Sequence, residues 1–340
     1  MPKIAYWTSL LYPEKEAVSR EVFSLHAYFQ PSFVYGLSRY YWFKASLKKK
    51  YFGLNFKFYP FYRLFAPMLE MKYDLNHLIG STEDWHLLVS LKKKPIVITA
   101  ALPGKLMEGF DYARVAHIAT ECEPDREYYL KQGMPKKKLS VIYPGIPLSE
   151  KTLASKPNKN FRLLWASAPR ESKNWEVRGL HLIFELLKQD STLQLVIIGR
   201  KWPTNSMSQL RTMIASHHLE SQVEIVDKIF SDLKEMYALG DATIAPYKQG
   251  YCKPCPNSIP ESLAYGKPVL VSDQVGVANL VVQEKVGEVF SLNALSFYDA
   301  IEKLRSHYVL YQSRTQSCAE KHFSLKKFLK SYQALYQQIL

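Results

Sequence analysis

The C-terminal half of the chain alternates short, continuously apolar runs with amphipathic stretches. The runs are FRLLWAS (161–167), LQLVIIG (193–199), QVEIV (222–226), DATIAPY (241–247) and KPVLVSD (267–273). Between them, GLHLIFELLKQ (179–189), MSQLRTMIASHH (207–218) and SDLKEMYALG (231–240) repeat their apolar residues at helical spacing. Strands without polar alternation are buried on both faces. The pattern therefore predicts a parallel sheet covered by helices on each side, a doubly wound α/β domain.

The N-terminal half shows a looser version of the same alternation. Its predicted strands are KIAYWTS (3–9), SFVYG (32–36), DLNHLIG (74–80), PIVITA (95–100), VAHIAT (115–120) and LSVIYPG (139–145). The segment 146–160 lacks periodicity and is rich in Ser, Lys and Pro, which reads as a linker. The expected division is one Rossmann-like domain over 1–150, a second over 151–322, and a last helix over 323–340. A chain of 340 residues suits two such domains.

Charge adds one local feature. The formal net charge is +14, and residues 36–72 hold eight basic residues against one acid, Glu70. The segment is also crowded with aromatics, YYWFKASLKKKYFGLNFKFYPFYRLF. Two readings stay open for it. One is a buried aromatic strand beside a solvated lysine turn; the other is contact with an anionic membrane surface through Lys48, Lys49 and Lys50. Nucleic acid is an unlikely partner, because no recognition motif accompanies the charge. No apolar run reaches membrane-spanning length and the N-terminal run is short for a signal peptide, so the expected location is cytoplasmic, peripheral on the inner face of the membrane if the lysines meet lipid.

Several chemistries are disfavoured by what the motifs lack. No G-x-G-x-x-G follows a first strand and no G-x-x-x-x-G-K-[ST] occurs, which argues against a dinucleotide-dependent dehydrogenase and a P-loop. Cys252 and Cys255 form a C-x-x-C, but it falls after the fourth strand of its domain, and Cys122 and Cys318 each stand alone in sequence. A redox pair or a zinc site is therefore not expected, and neither is any other metal or cofactor.

The informative stretch is KPCPNSIPESLAYGKPVLVSD (253–273). Ser258 and Glu261 have capping-box spacing, Pro260 suits a first helical turn and Gly266 a helix end. A helix starting at the C-terminal end of a parallel strand offers amides and a positive dipole end to a phosphate. This stretch resembles the donor-binding signature of the retaining family-4 glycosyltransferases of GT-B fold, the group 1 glycosyltransferases. Cys255, Pro256 and Asn257 match its C/S-P-N variant, and Gly266, Pro268 and Val269 match its A-x-G-x-P-V tail. Glu261 falls on the signature's second Glu, which the resemblance implies holds the donor ribose. Lys253 stands where the first Glu is expected.

The segments 121–146 and 165–187 resemble the same family in order, the second as a strand, a basic loop and a K/R-G helix start. The resemblance implies two doubly wound domains facing a central cleft, with the last helix crossing back onto the first domain. It implies transfer of a sugar, of hexosyl type, from a UDP or GDP sugar to a hydroxyl acceptor, with retention and without metal. A glycan or lipid-linked acceptor would place the enzyme in glycan biosynthesis. Arg178 leads as the cation for the donor pyrophosphate, with Lys173 or Arg170 as the second. Asn257, Ser258, Ile259, Lys253 and Gly199 complete the donor side. The Gly-Gly loop expected after the first strand is replaced by LYPEKEAVSREVF, and His77 and His117 are the acceptor-side candidates. Lys253 suits an acidic donor sugar or a donor phosphate. With the first Glu and the Gly-Gly loop both missing, a catalytically silent subunit that binds a nucleotide or a partner remains the alternative.

Overall fold

Strand β1 (Ile4–Thr8) is buried along its whole length. Its period-two geometry sends Ile4 and Tyr6 into one core and Ala5 and Trp7 into another on the opposite face. A sheet buried on both sides is what the unbroken apolar runs require. The computed structural model describes residues 2–12, 15–38, 41–82, 86–102, 104–148, 157–166, 171–201 and 204–340. The chain divides into two units, Met1–Gly145 with Leu325–Leu340, and Ile146–Ser324.

The first unit continues with α1 (Ala17–Tyr28), β2 (Ser32–Ser38), β3 (Phe43–Ser46), β4 (Tyr51–Asn55) and α2 (Tyr59–Glu70). There follow β5 (Leu75–Gly80), β6 (Ile96–Ala100), β7 (Val115–Thr120), α3 (Glu123–Lys131) and β8 (Leu139–Val141). Its sheet runs β3-β4-β2-β1-β5-β6-β7-β8. All neighbours are parallel except β3 and β4, which pair antiparallel with Ser46 opposite Tyr51. The aromatic segment thus forms an edge hairpin. Trp42 and Phe43 are 62% and 61% exposed, so the reading of this segment as a buried strand fails there.

The second unit comprises β9 (Phe161–Trp165), α4 (Leu180–Gln189), β10 (Leu193–Gly199), α5 (Ser206–Ser216), β11 (Val223–Asp227), α6 (Leu233–Tyr237) and β12 (Ala242–Ala245). It continues with α7 (Ser258–Ala264), β13 (Val269–Ser272), α8 (Ala278–Glu284), β14 (Gly287–Phe290), α9 (Ala294–Ser306) and α10 (Tyr308–Phe323). Every pairing is parallel in the order β11-β10-β9-β12-β13-β14. Counted within the unit this is the 3-2-1-4-5-6 order of a doubly wound sheet. Strand β14 escapes the sequence pattern because its four residues, GEVF, include only two apolar ones.

The last helix, α11 (Leu325–Ile339), belongs to the first unit. Phe328, Tyr332, Leu335 and Tyr336 recur at helical spacing and pack with Ile4 and Tyr6. No helix among the described residues is long and apolar enough to cross a membrane.

Candidate active site

In the second unit the strand order reverses between β9 and β12. Loops leaving these two strands diverge to opposite sides, and the crevice left at their C-terminal ends is where such sheets bind ligands. The site is built on three segments that meet this edge: the loop before α4, the residue after β10, and the chain from β12 through α7.

Gly179 is the N-cap of α4 with φ +74° and ψ 18°. A Cβ there would lie 2.4 Å from the Pro246 carbonyl oxygen. Only glycine meets both conditions, the left-handed backbone and the missing space. The close approach lets the Lys248 amide donate to the Val177 carbonyl at 2.9 Å, joining the loop to the tail of β12. Arg178 is thereby set with its guanidinium 5.3 Å from the ring centroid of Tyr247, a cation–π distance. Burial raises the Tyr247 pKa, and the charges of Arg178 and Arg200 draw it back. The Tyr247 carbonyl accepts a 2.5 Å hydrogen bond from Ser272 Oγ at the end of β13.

Arg200, the first residue beyond β10, is a functional candidate that sequence reasoning missed. It lies outside the basic loop that drew attention to 170–178. The available signal was its place, directly after a buried strand beside the switch point. Lys173, by contrast, is 77% exposed and forms an ion pair with Glu171 at 2.8 Å, so the structure does not bring it to the arginines. Arg170 lies outside the described residues.

Helix α7 is buried along its length. The expected capping box is not formed. Asn257 is the N-cap, its backbone already helical at φ −58° and ψ −21°, and it makes no side-chain cap. Its Oδ1 instead accepts from Lys253 Nζ at 2.9 Å, and Lys253 is 9% exposed, so this ammonium does not point into bulk water. Glu261 does not reach back to Ser258. Tyr237 at the end of α6 donates to Glu261 Oε2 at 2.8 Å and lies 3.3 Å from the Ser258 carbonyl. A carboxylate held in this way can accept sugar hydroxyls at fixed positions. Ile259 is a core residue whose amide donates to the Pro256 carbonyl at 2.9 Å, which leaves that amide unavailable to a ligand. Gly199 has a structural reason as well: a Cβ would lie 2.2 Å from Asp227 Oδ1, which accepts from the Lys201 amide at 2.8 Å.

The acceptor-side candidates fall inside the first unit. His77 has no exposed surface, and its Nδ1 and Nε2 bond Tyr336 Oη and Thr99 Oγ1, each at 2.7 Å. Burial pushes its pKa down to about 3. His117 bonds Ser140 Oγ at 2.8 Å and is pushed down to about 4, also by burial. Both are neutral core histidines, a correction to the sequence reading. Lys48, Lys49 and Lys50 occupy the exposed β3–β4 turn. None of the four cysteines is joined in a disulfide, and no cluster of metal-ligating side chains occurs among the described residues.

Residues 160–307, the span of this site, match the family profile of the glycosyl transferases group 1. No curated protein matches the chain in sequence. Among solved structures, the chain is similar to a glycosyltransferase from Rickettsia africae ESF-5, at TM-score 0.76 and 14% identity over 99% of this chain and 98% of that one. It is also similar to sucrose-phosphate synthase from Thermosynechococcus elongatus, at TM-score 0.74 and 14% identity over 99% of each chain. A third is Anabaena HepE in complex with UDP and glucose, at TM-score 0.73 and 14% identity over 99% of this chain and 100% of that one. These likenesses establish the GT-B fold.

Proposed function

We propose, from a chain of GT-B fold whose second unit carries a group 1 glycosyl transferase domain, that it moves a sugar from a nucleoside diphosphate donor to a hydroxyl acceptor. The observation that carries this reading is the buried Glu261 carboxylate, held by Tyr237 on the strand-end side of a 3-2-1-4-5-6 sheet. Glu261 orients the donor ribose through its hydroxyls and takes no proton. The solved complex of Anabaena HepE with UDP and glucose supports a UDP-type donor; GDP is the other candidate.

In the reaction the bond between the anomeric carbon and the β-phosphate oxygen breaks, and a bond to the acceptor oxygen forms. The hydroxyl proton passes to the departing phosphate. Negative charge builds on the leaving nucleoside diphosphate, and Arg178 and Arg200 are the fixed cations at this sheet edge that can stabilise it. We assign the transfer as retaining and of hexosyl type from the resemblance of the 253–273 stretch. The exposed lysine turn at 48–50 favours an acceptor glycan or lipid linked to a membrane.

The test is a thermal-shift screen of UDP, GDP and their sugars, followed by a radiolabelled donor assay. Stabilisation by one nucleotide, lost in Glu261→Ala, together with turnover of its sugar, supports the reading. Stabilisation without transfer or donor hydrolysis would instead identify a silent nucleotide-binding subunit.

A further inference from the structure

Helix α2 carries two apolar stripes. Tyr62, Ala66 and Leu69 recur at spacings of four and three and face the sheet, where Tyr62 and Ala66 are buried and Leu69 packs against that core. A second stripe, Phe61, Leu64, Phe65 and Met68, also has helical spacing, and its members are 54%, 69%, 46% and 68% exposed. A helix that has already covered its core has no folding reason for the second stripe. Exposed contiguous apolar surface of this kind marks an interaction site.

Beneath it lies a cavity of about 600 Å³ lined by seven aromatic residues and two leucines. Phe61 and Phe65 belong to both the lining and the exposed stripe, so the cavity opens to the surface between them. Phe33, Phe52 and Phe58 contribute further walls. The lining tyrosines give rings and turn their hydroxyls away. Tyr62 Oη donates to the Gly36 carbonyl at 2.9 Å, and Tyr35 Oη bonds Tyr73 Oη at 2.9 Å. A space of this volume without an available polar group suits a hydrocarbon.

The segment that carries the cavity is basic: Lys48, Lys49, Lys50, Lys57, Arg63 and Lys72 are all exposed. The segment's one acid, Glu70, is fully buried, where its carboxylate accepts from the amides of Lys92 and Lys93 and from Asn76 Nδ2. Trp42 and Leu47 stand exposed on the adjoining hairpin, with Lys57 Nζ 5.4 Å from the Trp42 ring. An indole and snorkelling lysines beside an apolar surface match the interfacial layer of a bilayer.

We propose that the first unit binds an anionic membrane lipid, its hydrocarbon chain entering the aromatic cavity at Phe61 and Phe65 while the exposed lysines and Arg63 of the same segment hold its headgroup and those of its neighbours. The proposal stands apart from the transferase reading, since lipid binding needs no donor.

The full chain is titrated with monomeric lysophosphatidylglycerol below its micelle concentration. It is also sedimented with phosphatidylcholine vesicles with and without phosphatidylglycerol. Uptake of the single-chain lipid and binding only to the anionic vesicles are expected. Leu69→Trp fills the cavity but keeps the exposed stripe and every cation. It should lose single-chain uptake by about tenfold or more, the worth of one buried apolar side chain. Phe65→Glu, at a position open to water in the free protein, should do the same if the tryptophan variant fails to fold. Lys48→Glu with Lys49→Glu should weaken vesicle binding. No uptake by the native chain, or equal uptake by folded Leu69→Trp or Phe65→Glu, overturns the proposal. Salt-sensitive binding of a DNA or RNA oligonucleotide without lipid binding would likewise overturn it.

Discussion

The Tyr237 hydroxyl donates to Glu261 Oε2 across 2.8 Å inside the second unit, and both residues are buried. The bond helps to fix the direction of the carboxylate. Tyr237→Phe keeps the ring that stacks on Tyr265 and removes the hydroxyl's bonds to Glu261 and to the Ser258 carbonyl. A hydrogen bond to a charged group contributes roughly 1.5–3 kcal/mol. The variant should therefore lower the melting temperature by several degrees and also raise the donor KM, because the carboxylate loses its fixed direction. Glu261→Ala should abolish nucleotide-induced stabilisation. Normal donor affinity in Tyr237→Phe would remove this role.

The two arginines and Lys173 separate in a simple comparison. Arg178→Ala and Arg200→Ala should each lower turnover by at least the 10²-fold typical of losing a transition-state charge partner, approximately. Lys173→Ala, at an exposed residue paired with Glu171, should leave turnover within about twofold. Initial rates at saturating donor settle the order.

Gly179→Ala combines a left-handed backbone with a 2.4 Å approach to the Pro246 oxygen. A strained position of this kind costs about 1–3 kcal/mol, and the clash adds to it. The melting temperature should fall by several degrees. Turnover should fall further than stability explains, because Arg178 moves with the loop.

Lys253 tests donor identity. If its ammonium meets a sugar carboxylate, a uronic acid donor should be used in preference to its neutral parent, and Lys253→Glu should reverse the preference. Equal use of both donors, unchanged in the variant, would remove the lysine from sugar selection. Asn257→Ala should give a weaker form of the same effect by releasing the 2.9 Å tether.

Acid should destabilise the first unit through its histidines. Folded His77 and His117 resist protonation down to about pH 3 and 4, whereas the unfolded chain takes up these protons near pH 6.5. More protons are bound by the unfolded state in that window, so stability falls as pH drops, by up to about 1.4 kcal/mol per pH unit for each histidine. Asp125, raised by burial to about 6, acts oppositely between pH 6 and its unfolded value, because the folded form holds its proton. Urea titrations from pH 7 to 4 should show a net loss that becomes smaller in His117→Gln.

The alternation of apolar runs and amphipathic stretches was enough to locate most strands of both sheets, because a strand buried on both faces leaves no other pattern. The resemblance of the 253–273 stretch to a family signature likewise pointed to Glu261 and Asn257, whereas local spacing offered only a capping box. Tertiary structure decided the rest. His77 reads as a candidate in a strand, but α11 brings Tyr336 onto it from the far end of the chain. Glu261 reads as a capping residue, but α6 brings it Tyr237. Arg200 carries no motif and gains meaning only where the strand order turns. On α2, composition shows that Phe61 and Tyr62 are both aromatic. Only the packed helix shows that Tyr62 completes the core while Phe61 opens onto a cavity, because burial depends on which face meets the sheet.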